Sequence, residues 1–256
     1  MSDIHHSAAD GYTVVATSYA RGRPDYPPQV EDWLRDDLAL GKGKVVLDLG
    51  AGTGKFLTYL RNTEATVVAV EPVPAMLAQL VKLHPGVEVR QGSAERIPLA
   101  DASVDAVVCA QSFHWFANIN ALSEIRRILK RSGVLGLIWN IRDERVAWVA
   151  GLRAILDPHE GDAPRYYTQM WRRVFPATGF GPFSERQFPH GHRGSPEHVI
   201  VDRVISTSFI AALPATERDR VAAEVRKLIA NVPDLAGRKE VTMPYVTAAF
   251  SCQRVD

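Results

Sequence analysis

Short apolar runs alternate with amphipathic segments along the first 140 residues. Five segments predict strands: Val45–Leu49, Thr66–Val70, Val87–Gln91, Val104–Ala110 and Val134–Trp139, of which the first and fourth are expected to be buried. Segments with helical periodicity lie before the first run and between most of the others. Repeated strand–helix units of this kind predict an α/β fold with a doubly wound, parallel sheet and helices on both faces.

The intervening segments carry helical spacing and recognisable ends. Apolar residues at positions 30, 33, 34 and 38 predict a helix that begins after Pro28 and ends before Gly41 and Gly43. Further helices are predicted over Lys55–Arg61 and Pro74–His84. One more, carrying apolar residues at 122, 125, 128 and 129, is expected to stop at Ser132-Gly133.

The pattern changes near Asn140. Residues 145–175 predict helices rich in aromatic and basic side chains, and a later helix around Val221–Val232 is expected to open at Thr216 as its N-cap. Phe183–Phe188 and Val241–Ser251 predict two more strands. A helical cap inserted into the end of an α/β domain is the simplest description.

Composition narrows the class of protein. The 256 residues are 46% hydrophobic and 23% charged, which excludes a disordered chain. The net charge of +1 argues against a protein dedicated to binding nucleic acids or anionic membranes. Cys109 and Cys252 are too few for a disulfide framework, so a reducing compartment is indicated. The first residues do not resemble a secretory signal, and no apolar stretch has the length of a membrane span. We expect a cytoplasmic protein.

The segment Val45–Phe56, VVLDLGAGTGKF, is the most informative motif. A strand leads into three glycines and a helix, which lets the backbone approach a ligand at the helix N-terminus. A nucleotide-binding loop of the G-x-x-x-x-G-K-[ST] type is excluded, because Phe56 stands where a hydroxyl is needed. A dinucleotide fingerprint fits poorly, since the third glycine comes one residue early. The spacing G-x-G-x-G therefore suits another ligand.

Two acidic residues suggest what that ligand carries. Asp48 stands at the end of the first predicted strand, where a carboxylate suits an ammonium group, and Glu71 ends the second, where a carboxylate can accept both ribose hydroxyls. The alternative is that the glycines only turn the chain and both carboxylates are solvated. The strand, acidic residue, glycines, helix, second strand and second acidic residue occur in that order. This order favours a ligand-binding loop over a simple turn of the chain.

These motifs resemble class I S-adenosylmethionine-dependent methyltransferases, within them the group that contains trans-aconitate methyltransferase and the quinone-biosynthesis methyltransferases. Asp48–Gly54 is similar to the family's first motif and Glu71 to its ribose-binding acid. Gly92–Leu99 resembles the adenine-side motif, and Cys109–Trp115 the segment after the fourth strand. The adenine motif usually carries Asp where this chain has Ser93, which implies a neutral hydrogen bond there.

The resemblance covers nearly the whole chain. Segments outside the core also fit the aconitate-methyltransferase-like subgroup: Tyr19–Pro24 with Tyr26-Pro27, Trp139-Asn140, Ser206–Pro214 and Pro244-Tyr245. The implied fold is a Rossmann-like, mainly parallel sheet with a C-terminal antiparallel hairpin and a helical cap insertion. The implied organisation is an N-terminal lid over 1–27, a binding core over 28–140, and a cap with the completing strands over 141–256.

The resemblance also implies the cofactor, S-adenosyl-L-methionine, and the residues around it. The implied cofactor-binding residues are Tyr19, Asp48, Gly50, Ala51, Gly52, Gly54, Glu71, Pro72, Met76, Ser93, Ala94, Glu95, Ala110 and Gln111. The candidate substrate residues are Arg23, Phe113, His114, Trp115, Asn140 and Arg142. The expected activity is methyl transfer to a carboxylate or hydroxyl of a small molecule, by a monomer or homodimer.

Alternatives remain open at this point. His114 is the candidate general base, or else an aromatic-cluster residue that lines the methionine pocket. Residues 111–114 lack the [DNS]-P-P-[FYW] motif of nucleic-acid amino-methylating enzymes, which favours a small-molecule acceptor. A non-catalytic S-adenosylmethionine- or S-adenosylhomocysteine-binding protein and a dinucleotide-dependent oxidoreductase are the rival functions.

Two further clusters are candidate sites. His190 and His192 would share one face of a strand, but with His198 they match no known zinc spacing, so no metal is expected and a solvated hairpin is preferred. The arginines of the predicted cap are candidates for orienting a carboxylate substrate, or else belong to a solvated helix face. They are Arg142, Arg165, Arg172 and Arg173.

Overall fold

A computed structural model describes residues 23–255 of the chain. Seven strands form one sheet in the order β3-β2-β1-β4-β5-β7-β6. The strands are β1 Val45–Leu49, β2 Thr66–Glu71, β3 Glu88–Gln91, β4 Val104–Ala110, β5 Leu129–Arg142, β6 Ser184–Gly194 and β7 Val241–Gln253. The first five are parallel, and β7 runs antiparallel to both β5 and β6.

Helices flank and extend this sheet. The α-helices are α1 Gln29–Asp36, α2 Leu57–Arg61, α3 Pro74–Leu83, α4 Ile119–Ile128, α5 Ala147–Leu156, α6 Arg203–Ile205, α7 Ser208–Ala211 and α8 Ala215–Asn231. Shorter turns are 3-10 helices over Phe113–Trp115, Asp157–His159 and Met170–Val174 and a π-helix over Glu197–Asp202. Among the described residues, no helix is both long and apolar enough to span a bilayer.

The alternation of side chains along the central strands builds a core on each face of the sheet. Leu47 of β1 and Val107 of β4 belong to one cluster, while Val46 and Ala106 belong to the other. A third cluster joins α5, the π-helix and α8 to the start of β7. The predicted mixed sheet with a helical insertion is therefore confirmed, and the insertion has its own apolar packing.

Several predicted boundaries were wrong. The helix expected to stop at Ser132-Gly133 ends at Ile128, and β5 already begins at Leu129, because the segment pairs with β4 through a register shift. Helix α8 begins at Ala215, so Thr216 lies inside its first turn and Pro214 holds the N-cap position without a side-chain hydrogen bond.

The two C-terminal strands also differ from the sequence prediction. Strand β6 continues to Gly194, so His190 and His192 lie within a paired strand and not in a solvated hairpin. Their side chains share the half-buried face of the strand, as the spacing predicted. Strand β6 pairs with β7 along the whole length of β6. A helical segment separates the two strands in the chain, so the connection is not a tight turn.

Candidate active site

An open cleft lies where the strand order reverses, at the carboxyl ends of β1 and β4. In sheets of this topology, ligands bind at that crevice. The cleft encloses about 1330 Å³ between protein atoms, including space open to solvent. Its walls come from the loops after β1, β2, β3, β4 and β5 and from the start of the described chain. Sequence motifs far apart in the chain thus meet in one place.

Most of the predicted cofactor residues line this cleft. They are Asp48, Gly50, Ala51, Gly52, Glu71, Pro72, Met76, Ser93, Ala94, Glu95, Ala110 and Gln111. Gly54 does not line it, and a side chain at Gly54 would collide with His84, so this glycine is needed for packing behind the loop. Tyr19 lies outside the described residues.

The glycine loop is held tightly against β2. The backbone N–H of Gly50 donates to the carbonyl of Val70 at 2.9 Å, and Gly52 N–H donates to Glu71 Oε2 at 2.8 Å. Gly50 and Gly52 have φ of +71° and +58°, a region that glycine adopts without strain. A Cβ at Gly50 would also lie 2.8 Å from the Cβ of Ser112. The motif therefore fixes the backbone shape beside the cleft.

Glu71 has a structural bond on each carboxylate oxygen and still has capacity for a ligand. Oε2 accepts from Gly52, and Oε1 accepts from the backbone N–H of Val73 at 2.9 Å. An ionised carboxylate has about four acceptor positions, so about two remain for a diol such as a ribose. Burial raises the pKa of Glu71, and these two backbone bonds oppose the rise.

Asp48 is a buried carboxylate without a hydrogen-bond partner among residues 23–255. Its residue is 1% exposed, and both carboxylate oxygens are unpaired in that range. Burial, and then the charge of Glu71, raises the pKa of Asp48 to about 7. An unpaired buried carboxylate is costly, so its position on the cleft wall marks a place where a ligand donor would stabilise it.

The adenine-side motif also reaches the cleft. Ser93 is half-buried on the wall and forms a backbone β-bridge with Arg96, while the Glu95 carboxylate accepts from Asn118 Nδ2 at 2.9 Å. Asn118 caps α4 as well, since its side chain accepts from the backbone N–H of Ala121. Glu95 is therefore oriented by the helix cap, whereas Ser93 is fixed through its backbone.

A smaller cavity adjoins the cleft and encloses about 580 Å³, including space open to solvent. Five residues line both spaces: Arg23, Gln111, Trp115, Asn140 and Arg203. Gln111 lies where the cleft meets this cavity. Its backbone has φ of +59°, a left-handed conformation that is uncommon for residues other than glycine. Two compartments that share a wall suit two reactants bound side by side.

All but one of the candidate substrate residues line the cleft, the smaller cavity or both. Arg23, Trp115 and Asn140 line both, and His114 and Arg142 line the smaller cavity. Phe113 lines neither. It is fully buried and packs against Phe116 and Phe175, with ring centroids 5.7 and 6.0 Å away, so its position serves the core.

Asn140 is oriented by a small polar network. Its Oδ1 accepts from the Thr247 hydroxyl and lies 3.2 Å from His190 Nε2, and its Nδ2 donates to the backbone carbonyl of Asp25 at 3.3 Å. His190 has its pKa lowered to about 4 by burial and by the neighbouring His192. The His190 ring therefore helps position Asn140, a role that no sequence spacing indicated. No group of three or more His, Cys, Asp or Glu suited to a metal occurs among the described residues.

The start of the described chain is anchored across the cleft. Tyr26 is buried and packs edge-on against Phe56 and Tyr59, with centroids 4.9 and 5.5 Å away, and its backbone N–H donates to the Tyr59 hydroxyl. Lys55 forms an ion pair with Asp25 at 3.1 Å. Residues 23–27 thus form part of the wall, while residues 1–22 of the predicted lid lie outside the described chain.

Sequence reasoning missed some lining residues. Arg203 follows the π-helix, is 8% exposed, and donates to the Thr207 hydroxyl at 3.3 Å. Lys55 and Phe56 also line the cleft, immediately after the glycine loop. Lys55 and Phe56 could have been predicted as lining residues, because they directly follow the glycine loop. Arg203 comes from the inserted helices, whose placement over the sheet no local pattern encodes.

Comparison with known proteins agrees with this architecture. A family model described as a methyltransferase domain matches residues 47–137. An uncharacterized methyltransferase-like protein of Schizosaccharomyces pombe is 39% identical over 239 residues, covering 92% of each chain. An uncharacterized methyltransferase of Mycobacterium tuberculosis is 41% identical over 230 residues, covering 90% of each. The relationship thus extends over the core and the cap.

More distant similarities are narrower. A ubiquinone/menaquinone biosynthesis C-methyltransferase of Rubrivivax gelatinosus is 37% identical over 93 residues, 36% of this chain and 37% of its own. A solved structure of a candidate type II methyltransferase from Anaeromyxobacter dehalogenans superposes with a TM-score of 0.63 at 24% identity, covering 91% of this chain and 97% of that one. The chain shares the Rossmann-like fold of that structure, and with its near-complete relatives named as methyltransferases it belongs to the methyltransferase family.

Proposed function

We propose that this protein binds S-adenosyl-L-methionine in the cleft and transfers its methyl group to a small molecule in the adjoining cavity. The observation that carries the proposal is the pair Asp48 and Glu71 beside the glycine loop. Asp48 lacks a partner among residues 23–255, and Glu71 keeps acceptor capacity after its two backbone bonds. One carboxylate suits the ammonium of the amino-acid part, and the other suits the ribose hydroxyls.

The remaining wall fits the rest of that ligand. Ser93 and Ala94 form the side where adenine would lie, and Met76 supplies an apolar surface beside Gly52, where an added Cβ would lie 3.8 Å from the Met76 sulfur. Gly52 provides close backbone approach, because any side chain there would face the cleft. These are the residues we assign to cofactor binding, with Pro72, Ala110 and Gln111 completing the wall.

Bound S-adenosylmethionine would supply a methyl group on a sulfonium, which is a good leaving group. The chain's own residues then have to align the two reactants and exclude water. Gln111, Trp115 and Asn140 line both spaces, so we assign them to holding the acceptor next to the cleft. Alignment of this kind contributes about 7–11 kcal/mol to a bimolecular reaction.

A small-molecule acceptor is favoured by the size of the cavity, about 580 Å³. Its walls include Trp139, Tyr166 and Tyr167 from β5 and the cap, which leave space for a compact ligand and not for a duplex or a protein surface. We place the protein in the cytoplasm, supported by two buried, free cysteines, Cys109 and Cys252.

Label transfer tests the proposal. The purified protein would be incubated with S-adenosylmethionine labelled in its methyl group and a panel of small carboxylic acids and hydroxylated metabolites, with products separated by chromatography. We expect label in at least one compound with wild-type protein and at least about 10-fold less with Glu71→Gln, which loses acceptor capacity at the ribose position. A folded wild-type protein that binds no labelled cofactor would contradict the proposal.

A further inference from the structure

The smaller cavity has a concentrated positive lining. Four arginines line it: Arg23, Arg142, Arg165 and Arg203. No aspartate or glutamate is among its lining residues in the described part of the chain. The charges of Arg142 and Arg165 oppose one another across this space, and an anion that enters it would reduce that repulsion. The lining therefore favours an anion.

Arg142 is the central observation. The residue is 7% exposed, and its guanidinium makes no hydrogen bond or ion pair within residues 23–255. Its backbone N–H donates to the Tyr167 hydroxyl at 3.1 Å, so the strand end that carries it is fixed. The side chain lines the cavity, and none of its nitrogens is among the fully buried unpaired atoms, so the guanidinium is accessible to a ligand that enters the cavity.

Arg165 stands beside it on the cap. Its Nη1 lies 3.8 Å from Glu160 Oε2, a carboxylate that also pairs with Arg153, and its guanidinium packs over Phe209 at 4.7 Å. Burial, followed by the charge of Arg142, lowers the pKa of Arg165 to about 10. Two arginines, one from β5 and one from the cap, thus face a common space with a single shared carboxylate near one of them.

His114 adds a neutral donor to the same wall. Trp139 Nε1 donates to His114 Nδ1 at 3.0 Å, which leaves the proton of the neutral ring on Nε2. The lining also contains the Tyr166 and Tyr167 rings. An organic acid fits this lining better than an inorganic anion does. Its carboxylate can pair with the arginine guanidinium groups and accept from His114 Nε2–H, and its carbon skeleton can pack on the tyrosine rings.

We propose that the cavity binds a carboxylate group of the methyl acceptor, held by Arg142 and Arg165. This inference rests on the proposed function, because it assigns the cavity to the acceptor. The carboxylate anchors the acceptor at the end of the cavity formed by β5 and the cap. The rest of the molecule then extends toward Gln111 and Asn140 at the shared wall, where the accepting atom meets the cleft.

The chain offers a matched control for this assignment. Arg172 also belongs to the cap and was an equal candidate from sequence, but it is exposed, pairs with Glu185 at 3.1 Å, and does not line the cavity. Arg172→Gln removes one cap arginine whose side chain lies outside the cavity and packs over the rings of Trp171 and Phe250. Comparison with Arg142→Met separates a specific pocket from general attraction of anions to a basic surface.

The experiment is a binding titration of the full chain, first saturated with S-adenosylhomocysteine as checked by calorimetry. The probes are succinate and benzoate, with succinamide and benzamide as neutral counterparts and inorganic phosphate as a second anion. Binding is followed by tryptophan fluorescence, since Trp115 and Trp139 line the cavity. Thermal unfolding of each variant without probe serves as the folding control.

We expect at least one carboxylate to saturate and to bind at least about 10-fold tighter than its amide and than phosphate. Arg142→Met should weaken that carboxylate at least about 10-fold, while Arg172→Gln should stay within about 2-fold of wild type. Without probe, Arg142→Met should unfold at a similar temperature, because the guanidinium makes no hydrogen bond or ion pair to residues 23–255 that the substitution would remove. Arg165→Met provides a second variant on the same cavity.

Several results would overturn the assignment: no carboxylate saturates at tens of millimolar, phosphate binds tightest, or Arg142→Met and Arg165→Met bind as wild type. The proposed function fails separately, through absence of S-adenosylhomocysteine binding in the calorimetric step. Carboxylate binding that depends on Arg142 but occurs without any binding of S-adenosylhomocysteine would keep the anion site and contradict its assignment to a methyl acceptor.

Discussion

The indole nitrogen of Trp139 donates a hydrogen bond to Nδ1 of His114 at 3.0 Å. Burial of the ring, then the charges of Arg165 and Arg23, lowers the pKa of His114 to about 3. The imidazole is therefore neutral at physiological pH, with its acceptor nitrogen occupied and its proton on Nε2. This arrangement favours a hydrogen-bond donor toward the cavity over the general base that the sequence suggested.

The first prediction concerns the titration of His114. Its imidazole signals, assigned in nuclear magnetic resonance spectra by comparison with His114→Gln, should show no protonation step between pH 5 and pH 8. The same chain unfolded in denaturant provides the reference for a histidine in water. A protonation step for His114 near pH 6.5 would contradict the tautomer and restore the base.

The lowered pKa of His114 should also make the stability of the fold depend on pH. The folded-state pKa lies below that of an unfolded histidine, so the unfolded chain binds more protons between about pH 3 and pH 6.5. The contribution of His114 to stability is therefore complete above pH 6.5 and is lost as pH falls toward 3. Denaturant unfolding of wild type and His114→Gln at pH 5 and pH 7.5 should show a larger pH dependence in the wild type.

The second prediction concerns Asp48, whose pKa is raised to about 7 by burial and by Glu71. A ligand ammonium should favour the ionised carboxylate, so binding near pH 7 should release about half a proton from this group. Calorimetry with S-adenosylhomocysteine in phosphate and Tris buffers measures that release. Asp48→Asn should abolish it, and equal release from the variant would exclude Asp48 as its source.

Asp48 should also affect the protein without ligand, with a sign opposite to the usual carboxylate. Its folded pKa is above the unfolded value, so the folded state binds more protons between about pH 4 and pH 7. Its contribution to stability then falls as pH rises through this window. Asp48→Asn should therefore raise the unfolding temperature at pH 8 more than at pH 5.

The third prediction tests the adenine side. If Ser93 hydrogen-bonds adenine, Ser93→Asp should preserve or tighten binding of S-adenosylhomocysteine, while Ser93→Val should weaken it by about 5- to 10-fold, the loss of one neutral hydrogen bond. Both substitutions lie on the half-buried cleft wall, so unfolding temperatures should change little. Equal affinities in all three proteins would show that this side chain does not contact adenine.

The fourth prediction concerns the N-terminal segment. Because Tyr26 is buried against Phe56 and Tyr59, Tyr26→Ala should lower the free energy of unfolding by about 2–4 kcal/mol and weaken binding in the cleft. Tyr59→Phe, which removes only the hydroxyl bonded to the Tyr26 backbone, should cost about 1 kcal/mol.

Two truncations divide the predicted lid at the boundary that these contacts suggest. Deleting residues 1–27 removes the Tyr26 anchor and should destabilise the protein, whereas deleting residues 1–22 should keep the fold. If the lid proposal is right, the shorter deletion should still weaken cofactor binding, and cofactor should slow proteolysis near Arg21. Full affinity after deletion of residues 1–22 would contradict the lid.

Local sequence patterns predicted the central sheet because its buried strands are mostly apolar. Val45–Leu49 and Val104–Ala110 were predicted to the residue, since each run is bounded by polar or turn residues. The end of α4 was missed because Leu129 continues the helical spacing while its backbone already pairs with Val104. Pairing between strands decided that boundary, and a single segment does not encode it.

The site divides in the same way. The cleft residues near the glycine loop were predictable, because a motif and the strand ends place Asp48 and Glu71 together. Arg142, Arg172 and Arg173 looked equivalent in sequence, and only Arg142 of these three lines the cavity. Tertiary packing of the cap over β5 and β7 separates them, and no local spacing reports it.

The most direct test of the central claim is a thermodynamic cycle between Glu71 and the ribose. Calorimetry would compare S-adenosylhomocysteine with its 2′-deoxy analogue, on wild type and on Glu71→Ala. Because Glu71 also bonds Gly52, the substitution alone would not separate ribose recognition from loop distortion. We predict that Glu71→Ala weakens S-adenosylhomocysteine about 10- to 100-fold and the deoxy analogue much less. Equal weakening of both ligands, or unchanged affinity in a folded variant, would contradict the account.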